Sequence, residues 1–207
     1  GGGAWYVHEL TSSASDVPQI ADAADLVDEL RQRNPGAADP DGLHTAKGWD
    51  ELRLGTPEAV LRARTEFELA VAADPHGPHA VAGLALVYAQ LGDQQLQLGA
   101  ADLISRAEKL PGGEESILRA KAGVALASGN YASAEVKGRE CLSAHPEDGL
   151  CSWYLGDTLL ALGRYGEALS QLQVALQTIT LSPGLHQSLG QAAMLSGDFA
   201  GAESALG

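Results

Sequence analysis

The chain is 207 residues long, enough for one generous domain or a small repeat array with its own core. Hydrophobic residues make up 45% but aromatics only 5%, and the abundance of Ala, Leu and Gly suits closely packed helices better than a β-sandwich. A formal charge of −14 with no cluster of Lys or Arg excludes a nucleic-acid binder and any attraction of the chain to an anionic membrane surface.

At the N-terminus, Gly1-Gly2-Gly3-Ala4-Trp5-Tyr6-Val7 has the aromatic pattern of the exit from a membrane span; the alternative is a tag scar and an unstructured leader. The start without Met and the end in what reads as mid-helix lead us to expect a piece of a longer protein. Ser15-Asp16 then caps an expected helix over residues 17–33. Its apolar stripe is Ile20, Ala24, Val27 and Leu30, and its wet face carries Asp22, Asp25, Asp28 and Glu29. Residues 34–42, with Asn34-Pro35-Gly36 and Asp39-Pro40-Asp41-Gly42, read as a loop.

From residue 44 onward the chain matches itself. Gly92, Gly129, Gly163 and Gly197 mark turns separated by 37, 34 and 34 residues, and Tyr131, Tyr165 and Phe199 each follow a turn glycine by two. Ala63, Ala100, Ala134, Ala168 and Ala202 keep the same phase, as do Ala85, Ala122, Gly156 and Gly190. Pro75 and Pro146 close two units. The expected units are 44–77, 78–114, 115–148, 149–182 and a partial 183–207.

A 34-residue period with these landmarks resembles the tetratricopeptide repeat. Leu155-Gly156, Tyr165, Ala168 and Leu172 carry the resemblance in the fourth unit; Ala63, Phe67, Ala70 and Pro75 carry it in the first. The resemblance covers about residues 44 to 207. It implies an all-α solenoid of antiparallel helix-turn-helix repeats, each stable only when stacked on its neighbours. Local chemistry agrees: Leu155, Leu159 and Leu162 share one face, Leu169, Leu172 and Leu176 another, and Thr56-Pro57-Glu58 reads as an N-cap followed by Pro in the first turn. The departures are Ser152 at the family's Trp position, Lys121 where Leu is expected, and three extra residues between Gly92 and Ala100. The last imply a longer turn or an extended second helix.

No phosphate loop, dinucleotide glycine motif, nucleophile elbow or H-E-x-x-H is present, so neither catalysis nor a cofactor is expected. His76 and His79 lack a third metal ligand nearby, and no metal site is expected. Glu114-Glu115 and Glu147-Asp148 precede expected helices, where the dipole favours negative charge. Cys141 and Cys151 lie ten apart, a spacing that matches no metal motif; adjacent helices bring them within reach of a disulfide in an oxidising compartment, and otherwise they are small buried hydrophobes.

The resemblance also implies that first helices line a concave groove holding a peptide or helix of a partner. Carried across, the groove stripes are Ala82, Leu86 and Ala89; Arg119, Gly123 and Leu126; Trp153, Asp157 and Leu160; and Gln187, Gln191 and Met194. The expected contact residues are Arg119, Gly123, Leu126, Trp153, Asp157, Leu160, Gln187 and Gln191, with Trp153 as the anchor. Chaperone-binding members grip a carboxylate with a basic, Asn-bearing clamp; Gly123 and Asp157 argue against that version here. The expected function is therefore a protein-binding scaffold or adaptor, not an enzyme, with no nucleic acid partner and no direct membrane contact by the repeats. Its expected setting is either the bacterial envelope, as the soluble part of a membrane-anchored assembly, or the cytoplasm; the excess of Arg over Lys, with the Ala and Gly bias, points to a GC-rich bacterial source. The alternatives are a substrate-recruiting module of a larger enzyme and a self-assembling structural protein.

Overall fold

The computed structural model describes residues 23–92 and 94–197. The segment 1–7, the start of the expected 17–33 helix, and the second half of the last unit with Phe199 and Ala202 lie outside the described residues. The described helices are α1 (Ala23–Arg33), α2 (Leu43–Leu54), α3 (Pro57–Ala73), α4 (Pro78–Gln90), α5 (Gln94–Ala107), α6 (Glu114–Ala127), α7 (Tyr131–Ala144), α8 (Gly149–Ala161), α9 (Tyr165–Ala175) and α10 (Pro183–Ser196). There is no strand among the described residues, and no described helix is long and apolar enough to cross a membrane.

Four hairpins, α2–α3, α4–α5, α6–α7 and α8–α9, stack in order, and α10 packs on α9 as the first helix of a fifth. The turn glycines take the left-handed backbone that ends a helix: Gly92 (φ 74°), Gly129 (71°), Gly163 (76°) and Gly197 (86°). The starts are capped by side chains. Thr56, Asn130, Asp148 and Ser182 accept from the backbone N–H three residues on, at the heads of α3, α7, α8 and α10.

The small residues set how closely the helices approach. The Phe67 ring of α3 lies over Gly48 of α2 and Gly83 of α4, where a Cβ would come within 2.7 and 2.3 Å of it. Leu172 of α9 occupies the same kind of seat over Gly156 of α8. Every residue of α4 from Ala80 to Ala89 is buried, as a helix covered on all sides must be.

One detail differs from the sequence reading, and one settles an alternative it left open. The buried stripe of α1 is Leu26, Val27 and Leu30 on α3 and α5, while Ala24 faces out. Ala24 precedes Val27 by three, but Leu26 precedes Leu30 by four, and the larger side chain takes the core. The three extra residues before Ala100 lie inside α5 rather than in the turn, as one of the two expected forms of the insertion has it: α5 begins two residues after Gly92 and Ala100 is its seventh residue, whereas Ala134 and Ala168 are the fourth of α7 and α9, and α5 and α7 are both 14 residues long. The loop at 34–42 is as expected, with a short 3-10 turn at Pro40–Gly42. Its Asp39 carboxylate accepts from the backbone N–H of His44 at 2.6 Å and from the Thr45 hydroxyl at 2.9 Å, fixing the start of α2.

The array also touches itself across its concave side. The C-terminal end of α2 meets the N-terminal end of α10, where the Ser182 hydroxyl donates to the Leu54 carbonyl at 3.3 Å. Gly55 and Gly184 pack backbone to backbone there; a Cβ on Gly184 would lie 2.5 Å from the Gly55 carbonyl oxygen. Gly55 has φ 64°, so it both ends α2 and leaves room for the seam.

Candidate functional site

The concave side is filled at one end and open at the other. At the filled end, Arg119 of α6 is 6% exposed. Its guanidinium stacks over the Trp49 ring of α2, 4.7 Å from the centroid, and donates from Nε and Nη2 to Asp148 Oδ2 at 2.9 and 2.6 Å. Nη2 also reaches Glu115. Burial alone would lower the pKa of Arg119, but the bonds and charge of Asp148 outweigh it and leave the guanidinium more firmly protonated. Asp148 serves twice, because its Oδ1 caps α8 by accepting from the Cys151 N–H at 2.9 Å.

Trp153 of α8 is likewise 6% exposed. Its indole lies under the α2–α10 seam, where a Cβ on Gly55 would be 2.1 Å from the ring, and its N–H donates to Ser188 Oγ of α10 at 3.2 Å. Asp157, one turn further along α8, lies beside Trp153 and Ser188. Burial pushes its carboxyl up to about 7, against a smaller downward pull from the Ser188 and Trp153 hydrogen bonds. Gly123 is a packing position: a Cβ would lie 2.4 Å from Leu86 Cδ1 and 3.1 Å from the Tyr154 ring. Ala82, Leu86 and Ala89 are buried as well.

The structure thus buries Arg119, Gly123 and Trp153, Arg119 with Trp49 and Asp148 and Trp153 with Ser188, and leaves Asp157 half-buried beside Trp153. The expected placing of Trp153 on an open face is corrected: α2 and α10 meet above it. Trp49 and Asp148 were not among the expected contact residues. The second function of Asp148 has no local signal, because Arg119 is 29 residues away in sequence.

At the other end the surface stays accessible. Leu126 and Leu160 are half-buried near the C-terminal ends of α6 and α8, and Gln187, Gln191 and Met194 are exposed along α10, Met194 at 55%. These five side chains carry no charge. Gln187 and Gln191 therefore stand apart from the buried cluster.

His76 and His79 are both exposed; His79 Nδ1 bonds Ser116 Oγ at 2.9 Å. Cys141 at the end of α7 and Cys151 at the start of α8 form a disulfide, completely buried. A crevice of about 720 Å³ opens at the α7–α8 loop, lined in part by Arg53, Arg119, His145, Glu147, Asp148 and Thr178.

No protein-family model and no curated protein matches the chain. Solved structures do match in shape. A tetratricopeptide repeat protein from Parabacteroides merdae superposes with a TM-score of 0.57 at 15% identity, over 88% of this chain and 69% of that one. A fragment of MamA from residue 41 to its end, from Desulfovibrio magneticus RS-1, gives 0.52 at 18% identity over 91% and 93%. A double mutant of MamA RS-1 gives 0.51 at 20% identity over 91% and 92%. The chain has the tetratricopeptide-repeat fold, an all-α solenoid of helical hairpins.

Proposed function

We propose that the chain is a non-catalytic scaffold that holds a segment of another protein on the open part of its concave side. The observation that carries this reading is the accessible neutral stripe over Leu126, Leu160, Gln187, Gln191 and Met194 on three successive first helices. Such a stripe suits an uncharged helix or strand, whose apolar side chains would cover the half-buried leucines while the glutamines meet its backbone. It offers no carboxylate clamp. Arg119 is committed to Asp148, and Asp157 adds a carboxyl of its own.

Arg119, Gly123, Trp153 and Asp157 enter this reading as the residues that fix the shape of the stripe. They reach a partner only where α2 moves off them. The buried disulfide favours an oxidising setting such as a bacterial envelope, where such bonds persist.

The test is a pull-down with the immobilised chain carrying Gln191→Arg and Met194→Asp, both exposed positions whose change leaves the core intact. The partner band should disappear, and it should survive Val136→Asp on the exposed side of α7. Retention by the double variant would place the contact elsewhere.

A further inference from the structure

We infer that, once its disulfide is reduced, the α7–α8 junction is a zinc site built from Cys141, Asp148 and Cys151, with His145 as the fourth ligand. The two sulfurs and a carboxylate oxygen of Asp148 all lie within 4.8 Å of one another, and all three residues are buried. The sulfurs are bonded to each other in the oxidised chain; reduction frees them to part to about 3.7 Å, the separation of two thiolates held at about 2.3 Å by a tetrahedral zinc ion.

A separate observation points the same way. His145 Nε2 is buried and has no hydrogen-bond partner, an unusual state for an imidazole nitrogen in a folded chain. The backbone ties this residue to the cluster from both sides. The His145 N–H donates to the Cys141 carbonyl at 2.7 Å, and the Asp148 N–H donates to the His145 carbonyl at 3.1 Å. To serve as the fourth ligand, the ring has to turn from its present position toward the sulfurs.

Asp148 keeps its present partners. Its oxygens accept from the Cys151 N–H and from Arg119, and a carboxylate has about four lone-pair positions, so one remains for a metal. Charge also balances. Two thiolates and one carboxylate are offset by the divalent ion and the Arg119 guanidinium, which already sits on Asp148. The crevice at the α7–α8 loop reaches His145 and Asp148, two of the four proposed ligands.

The step from one state to the other is a two-electron reduction. A dithiol attacks the Cys141–Cys151 bond and leaves as its own cyclic disulfide, and two thiols remain on the chain. Zinc binding then releases their two protons to solvent. A disulfide oxidant reverses the sequence by thiol–disulfide exchange, taking the two electrons as its own pair of thiols and expelling the ion, so the sulfurs are bonded either to each other or to metal.

The experiment titrates cobalt(II), then zinc(II), into the full chain before and after reduction by a phosphine, which adds no competing thiol. After reduction, cobalt should saturate at about one equivalent per chain with the intense thiolate-to-metal charge-transfer absorption of a tetrahedral site, and zinc should displace it. The oxidised chain should give neither. Cys151→Ser should lose that absorption, and His145→Ala should bind more weakly. Zinc should also raise the melting temperature of the reduced chain and leave the oxidised one unmoved, a readout that serves even where the reduced chain is partly unfolded. Reduced chain that takes up no cobalt through sulfur, or gains no stability from zinc, overturns the inference. Undiminished binding by His145→Ala removes that residue from the set.

Discussion

Replacing Trp153 by Ala tests whether the concave side is closed. The indole is almost fully covered, under Gly55 of the α2 end and against Ser188 of α10. Truncating a buried Trp costs about 3–5 kcal/mol, and the glycine backbones above it can settle partway into the gap, which argues for the lower part of that range. Loss of the bond to Ser188 Oγ adds about 1 kcal/mol. A total of about 4 kcal/mol in a chain of this size corresponds to a fall of about 8–16 °C in melting temperature. Circular dichroism melts and urea unfolding measure both quantities. A loss below about 1 kcal/mol would refute the reasoning, because only an indole standing free on an open face is removed so cheaply.

Two further outcomes follow from the same region. Asp157 has its carboxyl raised to about 7 from an ordinary 3.8, so between these values the folded chain holds a proton that the unfolded chain has lost. Its contribution is therefore full below pH about 4 and is lost as pH rises through about 7, on the order of 4 kcal/mol for a shift of about three units. Asp157→Asn should flatten that part of the stability–pH curve, and an unchanged slope in urea titrations at several pH values would contradict the assignment. Gly184→Ala places a methyl against the Gly55 backbone, which has no side chain to yield, so the α2–α10 seam should part at a cost of about 1–3 kcal/mol. Small-angle scattering should record a larger radius of gyration for this variant, with helix content unchanged.

What the sequence made legible was whatever repeats or acts locally. The turn glycines had to recur because each hairpin needs a left-handed residue at the same place, and Gly92, Gly129, Gly163 and Gly197 all adopt it. Thr56 before Pro57 is a local cap and was readable as one. The chemistry of Asp148 was half readable: its place before α8 identified a residue suited to the helix N-terminus, but not its bond to Arg119. The closure of the concave side left no such trace. It arises from curvature summed over four hairpins, which brings Leu54 and Ser182 together across 128 residues. The same curvature turned Trp153 from an expected contact into a buried wedge, and it brought Trp49, which carries no repeat signature, over Arg119. Gln187, Gln191 and Met194 stay exposed on α10 because they lie beyond the seam.

The central claim is that a protein partner lies on the open part of the concave side. Photo-cross-linking tests it most directly, with a benzophenone amino acid placed at Gln191 in one chain and at exposed Val136 on α7 in another. The account predicts a discrete partner adduct from position 191 and none from position 136. Adducts from 136 alone, or equally from both, would contradict it.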